Sequence, residues 1–181
     1  MPGALILTGL DAVGPDAAGL LDHVGAQTIV CLQTDAEIER RFPDYLEWLR
    51  HPEPYEVVRA QIEDHLIIDD LDMASLTRAI LRRLTRGEGI VVHCGAGWGR
   101  AGLVGALVLV AFGSGVDDAL VRVRSARPAA GPQSIEQQDQ LSRLAPVLHA
   151  ERTVSEDEEA RRRAGDRRQG GDRRGVTRRS V

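Results

Sequence analysis

A cysteine and an arginine separated by five residues, Cys94-Gly95-Ala96-Gly97-Trp98-Gly99-Arg100, form the pair whose types and spacing best suit chemistry in this chain. A thiolate is a strong nucleophile, and a planar guanidinium pairs with two oxygens of one tetrahedral anion, a fork that lysine lacks. The run Gly89-Ile90-Val91-Val92-His93 leads in as a buried strand, and Ala101 opens a helix just after the arginine. A glycine-rich turn between strand and helix aims the backbone N–H groups of Gly95, Ala96, Gly97, Trp98, Gly99 and Arg100 at an anion. The helix dipole adds roughly half a positive charge at the same point. Dipole and guanidinium both favour the thiolate of Cys94, and phosphate fits the cradle with sulfur beneath phosphorus. His93 reads as support for the loop rather than as a base, because a preformed thiolate needs no proton acceptor.

A departing oxygen needs a proton. Asp69, Asp70 and Asp72 follow the run His65-Leu66-Ile67-Ile68, and each of the three also suits the cap of the next helix. Ser134-Ile135-Glu136-Gln137 fits a capping box in which Gln137 reaches back to the helix start, and Thr34-Asp35-Ala36-Glu37 fits another. The second box makes Glu37 structural and leaves it outside the site. Cys31 lies in the apolar run Thr28-Ile29-Val30-Cys31-Leu32 and reads as core, with a protective disulfide to oxidised Cys94 as the alternative. No CxxC or metal-type Cys/His spacing occurs, so no disulfide framework, metal or cofactor is expected.

These residues require a scaffold. Apolar β-type runs at 4–8, 27–32, 65–68 and 90–92 alternate with helical stretches at 16–23, 35–50 (interrupted near Pro43), 74–85, 101–112, 116–125 and 134–149. That alternation predicts an α/β fold, a mainly parallel central sheet of about four to five strands flanked by helices. The 101–112 stretch is apolar on all sides, as a helix packed between sheet and neighbours would be. On 74–85, Leu76, Ile80, Leu81 and Leu84 make a core face, with Arg78, Arg82 and Arg83 on a solvated one.

The 181 residues suit one domain, predicted at 1–150. That body carries a net charge of −7. Residues 151–181 carry +3 and hold few apolar residues, the composition of a disordered arginine-rich tail. Weak contact of the tail with nucleic acid or an anionic surface follows from its charge, although no aromatic residue is present to stack on bases. The chain start has no charged n-region, and the longest uncharged run, 101–116, is too short to span a membrane. The expectation is a cytoplasmic protein with free thiols. All 23 basic residues are arginine, a usage that fits codon bias better than chemistry.

The His-Cys-five-residues-Arg loop in this context resembles the signature of the cysteine-dependent protein phosphatase superfamily, in its dual-specificity branch, over roughly residues 4–149. The resemblance implies hydrolysis of phosphotyrosine, with phosphoserine and phosphothreonine open, through a phosphocysteine intermediate and without metal, on a phosphorylated protein partner. Cys94 would be the nucleophile and Arg100 the clamp. His65-Leu66-Ile67-Ile68-Asp69-Asp70 resembles the family's strand and acid loop, where a Pro-Ile-x-Asp pattern supplies the general acid, and Asp70 falls on that Asp. Gln133 and Gln137 take the two Gln positions of a Gln-Thr-x-x-Gln run found in phosphatases related to the cyclin-dependent kinase inhibitor 3 group. Two residues depart from the pattern: Ala101 stands where Ser or Thr is usual, and Trp98 where a basic or small aliphatic residue is common. A loop without lysine argues against highly charged inositol lipids. The rival reading is a phosphate-binding pseudophosphatase that recognises phosphoproteins. A dinucleotide site at Gly97-Trp98-Gly99-Arg100-Ala101-Gly102 lacks the acidic ribose partner.

Overall fold

A computed structural model of the chain describes residues 3–171, with side chains through residue 154. Four strands, β1 (Leu5–Gly9), β2 (Thr28–Cys31), β3 (Glu56–Arg59) and β4 (Ile90–Cys94), pair in parallel in the order β1-β4-β2-β3. The register sets Cys31 opposite His93 and Gly9 opposite Cys94. Side chains alternate across a strand, and both faces of this sheet are covered. Val30, Leu32, Val92 and Cys94 enter one core with α5 (Asp70–Thr85), α6 (Gly99–Ala111), α7 (Val116–Ala126) and α8 (Ile135–Gly171). Ile29, Cys31 and Val91 enter the other, with α1 (Leu10–Val13), α2 (Ala17–Val24), α3 (Asp35–Glu39) and α4 (Pro43–Trp48).

Every residue of α6 except Leu109 is buried, as its all-round apolar sequence requires. Each large aliphatic side chain there contributes about 1.5–3 kcal/mol by leaving water. The chain leaves β1 and β2 toward the α1–α4 face but leaves β4 toward the opposite face. The crevice at the carboxyl end of β4 is therefore a topological switch point, the place where open α/β sheets bind ligands.

Three sequence expectations change. No strand forms at 65–68: His65 adopts φ 63° and Leu66 is half exposed, while Ile68 packs onto the core from a loop. The third strand is the short edge strand Glu56–Arg59. Helix α5 starts at Asp70 rather than 74, with Asp69 as N-cap accepting from the Leu71 amide at 2.8 Å. The expected break at Pro43 occurs, with Pro43 opening α4. Helix α8 runs to Gly171, past the boundary drawn at 150, through a stretch rich in Glu, Ala and Arg, all good helix formers. The last core residue on it is Leu148, so the division at 150 stands as a proposal about packing, not about backbone. The charges at 155–171 and the stretch 172–181 lie outside the described side chains. Among the described residues no helix is long and apolar enough to cross a membrane.

Candidate active site

Cys94 ends β4 and is 3% exposed, and the loop after it turns into α6 at Gly99. Cys94, Ala96, Trp98 and Gly99 line one cleft of about 510 Å³ together with Asp64, His65 and Gln133. Arg100, in the first turn of α6, is 2% exposed. Its two terminal nitrogens donate to the two carboxylate oxygens of Glu37, each at 2.9 Å, and one of them also donates to the Ile62 carbonyl at 2.6 Å. Asp64 Oδ1 stands 3.1 Å from the other. Burial works against the guanidinium's charge, but Glu37, Cys94 and Asp64 outweigh it and hold the group cationic. Among the described residues the buried Nε–H of Arg100 has no partner, which leaves a donor for a bound oxyanion.

Glu37 is the residue sequence reasoning set aside. The capping box is real, with the Thr34 hydroxyl accepting from the Glu37 amide and the Glu37 carboxylate accepting from the Thr34 amide. The same carboxylate fixes Arg100. Burial pushes its proton affinity up, and the bonds from Arg100 and Thr34 overcome that and hold it ionised below the usual range. A local motif that fully explains a residue hides a second, long-range role.

Asp70 sits away from the cleft. Arg143 grips it with two bonds at 2.8 and 3.0 Å, and Gln140 adds one at 2.9 Å. Arg143 first, then Gln140, hold its carboxyl below the ordinary range. This pairing ties α5 to α8. The carboxylate on the cleft is Asp64, and the signal was present: Gln61-Ile62-Glu63-Asp64 matches the Ile-x-Asp spacing as well as Ile67-Ile68-Asp69-Asp70 does. A strand at 65–68 points to the second copy, whose Asp70 lies off the cleft. His65, next to Asp64, holds a left-handed backbone that a non-glycine residue rarely adopts, a form of strain that gathers at functional loops.

His93 is fully buried, and its Nε2 shares a 2.7 Å hydrogen bond with the Tyr45 hydroxyl. Burial pushes the imidazole down to about 3, so it is neutral beneath the loop. Gln137 is also fully buried. Its side chain accepts from the Gln133 amide at 3.0 Å and donates to the Leu66 carbonyl at 3.2 Å, while its own amide donates to Ser134 Oγ at 3.2 Å. It therefore caps α8 and also holds the loop that carries Asp64. A side chain at Gly99 would meet Gln137 Oε1 at 3.0 Å and Gln133 Oε1 at 3.2 Å, so both glutamines press on the loop. Cys31 and Cys94 are both free thiols in opposite cores, which removes the disulfide alternative.

A parallel sheet with a cysteine at a strand's carboxyl end, a glycine-rich turn and an arginine on the following helix is the arrangement of the cysteine-dependent phosphatase superfamily, and the family comparison places the chain in its dual-specificity branch. Residues 1–161 match the family PTP-SAK, "Swiss Army Knife protein, DSP-PTPase phosphatase domain", and the chain belongs to it. Its fold is similar to that of Tk-PTP in the active form, with 24% identity over 81% of this chain and 92% of that one and a TM-score of 0.63. It is also similar to human DUSP28, with 20% identity over 81% and 94% and a TM-score of 0.64. A kinase associated phosphatase whose catalytic cysteine is replaced by serine shares 22% identity over 73% and 75%, with a TM-score of 0.63. No curated protein matches the sequence.

Proposed function

We propose that the chain hydrolyses phosphate monoesters on proteins, phosphotyrosine first, through a phosphocysteine on Cys94. The observation that carries this reading is the meeting at one cleft of Cys94, Asp64 and the loop residues Ala96, Trp98 and Gly99, the last next in sequence to Arg100, whose buried Nε–H has no partner among the described residues. Cys94 attacks phosphorus, forming the S–P bond as the bond to the leaving oxygen breaks. Arg100 and the loop amides hold the equatorial oxygens. Asp64, in place of Asp70, gives its proton to the leaving oxygen and then takes one from the water that cleaves the S–P bond. Trp98 is 43% exposed at the cleft and offers a flat apolar surface to an aryl group, which supports phosphotyrosine. The body's charge of −7 works against polyanionic lipids. Two free thiols fit a reducing, cytoplasmic setting.

A second reading, a binding module for phosphoproteins, rests on Ala101, which offers no hydroxyl to the departing thiolate. An aryl phosphate assay separates the two. Hydrolysis by the wild type and none by Cys94→Ser supports the enzyme, whereas vanadate binding with no turnover supports the module.

A further inference from the structure

The loop's amides point at phosphate only if its carbonyls point away, because C=O and N–H of one trans peptide unit face opposite directions. Three successive carbonyls are in fact held outward. The Gly95 carbonyl accepts from the Leu10 amide at the start of α1, at 2.9 Å. The Ala96 carbonyl accepts from an Arg127 terminal nitrogen at 2.6 Å, and the Gly97 carbonyl accepts from Arg127 Nε at 3.0 Å. The amides on the other side of those units belong to Ala96, Gly97 and Trp98, and among the described residues none accepts from them. Arg127 follows the last turn of α7 and is half buried, outside the cleft.

We propose that Arg127 is a positioning residue: its planar fork fixes two peptide units of the loop so that the Gly97 and Trp98 amides face the bound oxyanion. Gly97 records the tightness of this brace. Its φ is +77°, and an added Cβ would lie 2.4 Å from the Thr8 carbonyl and 2.7 Å from Arg127 Nε. The loop is thus wedged between the end of β1 and the guanidinium. Without Arg127 the two carbonyls lose a cationic donor, the peptide units are free to turn, and a turned unit presents oxygen, not N–H, to the anion.

The proposal rests on the phosphate-site reading above, and its test separates the two. Orthovanadate protects Cys94 from alkylation by iodoacetamide if the site binds tetrahedral oxyanions. In Arg127→Met the vanadate concentration giving half protection rises ~10²-fold, the scale of losing one preorganised oxyanion donor. The thermal midpoint of the unliganded protein stays within a few degrees of wild type. Arg127→Lys, which can reach both carbonyls without the planar fork, recovers part of the loss. Equal protection of wild type and Arg127→Met overturns the brace and leaves the phosphate site standing. A wild type that vanadate does not protect overturns the site and the brace with it. If Arg127→Met does not fold, Arg127→Lys decides: a rise of about tenfold supports the proposal, and an unchanged value overturns it.

Discussion

Glu37 and Arg100 form a fork-on-fork pair with two bonds of 2.9 Å, one partner on the helix after β2 and the other on the helix after β4. Arg100 is 2% exposed and Glu37 is 18% exposed, so removing the Glu37 charge leaves the buried guanidinium with only the largely exposed Asp64 as its carboxylate partner. Glu37→Gln is expected to lower stability by about 3 kcal/mol, in the range for a broken buried pair. It should also lower kcat/KM, because the guanidinium loses the partner that aims it. Urea unfolding and steady-state kinetics check both, and an unshifted urea midpoint would show that the pair adds nothing.

Asp64 and Asp70 part company in a leaving-group test. Asp64→Asn should reduce kcat by ~10²–10⁴ on phosphotyrosine. The loss should be far smaller on an aryl phosphate whose phenolate departs without a proton. Asp70→Asn should leave kcat within about twofold on both and reduce stability by at most ~1 kcal/mol, since its ion pair with Arg143 is exposed. A reversed pattern would return the acid role to Asp70.

His93 gives the fold an acid-sensitive element. Its folded value of about 3 lies below the ordinary 6.5, so between those values the unfolded chain binds one proton more than the folded chain. Stability from this group is complete above pH 6.5 and falls by about 1.4 kcal/mol per pH unit as pH drops through the window. Glu37 and Asp70, whose carboxyls are held low, add their losses only below the ordinary carboxylate range. Urea unfolding between about pH 7 and pH 5 therefore isolates the histidine. In His93→Gln that slope should flatten by about one proton, and an unaltered slope would place the sensitivity elsewhere.

Ala101 is fully buried behind the loop. Ala101→Ser supplies a hydroxyl to the thiolate as it leaves in the second step, so it should raise the steady-state rate more than the initial burst. Equal effects on the two phases would argue that breakdown of the thiophosphate is not the slow step.

Most of the layered architecture can be read from the sequence, and the reasons for the misses are local. β2 and β4 are apolar runs with both faces buried, and β1, although a partly open edge strand, opens on the apolar run Leu5-Ile6-Leu7; such runs announce themselves. β3 is Glu56-Val57-Val58-Arg59, an edge strand with charged ends and partly open faces, and it resembles a loop. The more apolar 65–68 mimics the strand better, and it directs attention to Asp70, six residues beyond the carboxylate that lines the cleft. Cys94 and Arg100 were legible because their spacing is itself the geometry. Glu37 and Arg127 were not, since each meets the loop across a long stretch of chain, 63 residues for Glu37 and about 30 for Arg127. Neither contact leaves a periodic mark in sequence.

The placement of Cys31 and Cys94 on opposite sides of the sheet governs how the protein would recover from peroxide. A sulfenic acid on Cys94 has no neighbouring thiol to condense with, so repair depends on an outside reductant. Reactivation should then be first order in added glutathione and pass through a mixed disulfide of the protein with that tripeptide. Cys31→Ser should leave the rate of return unchanged.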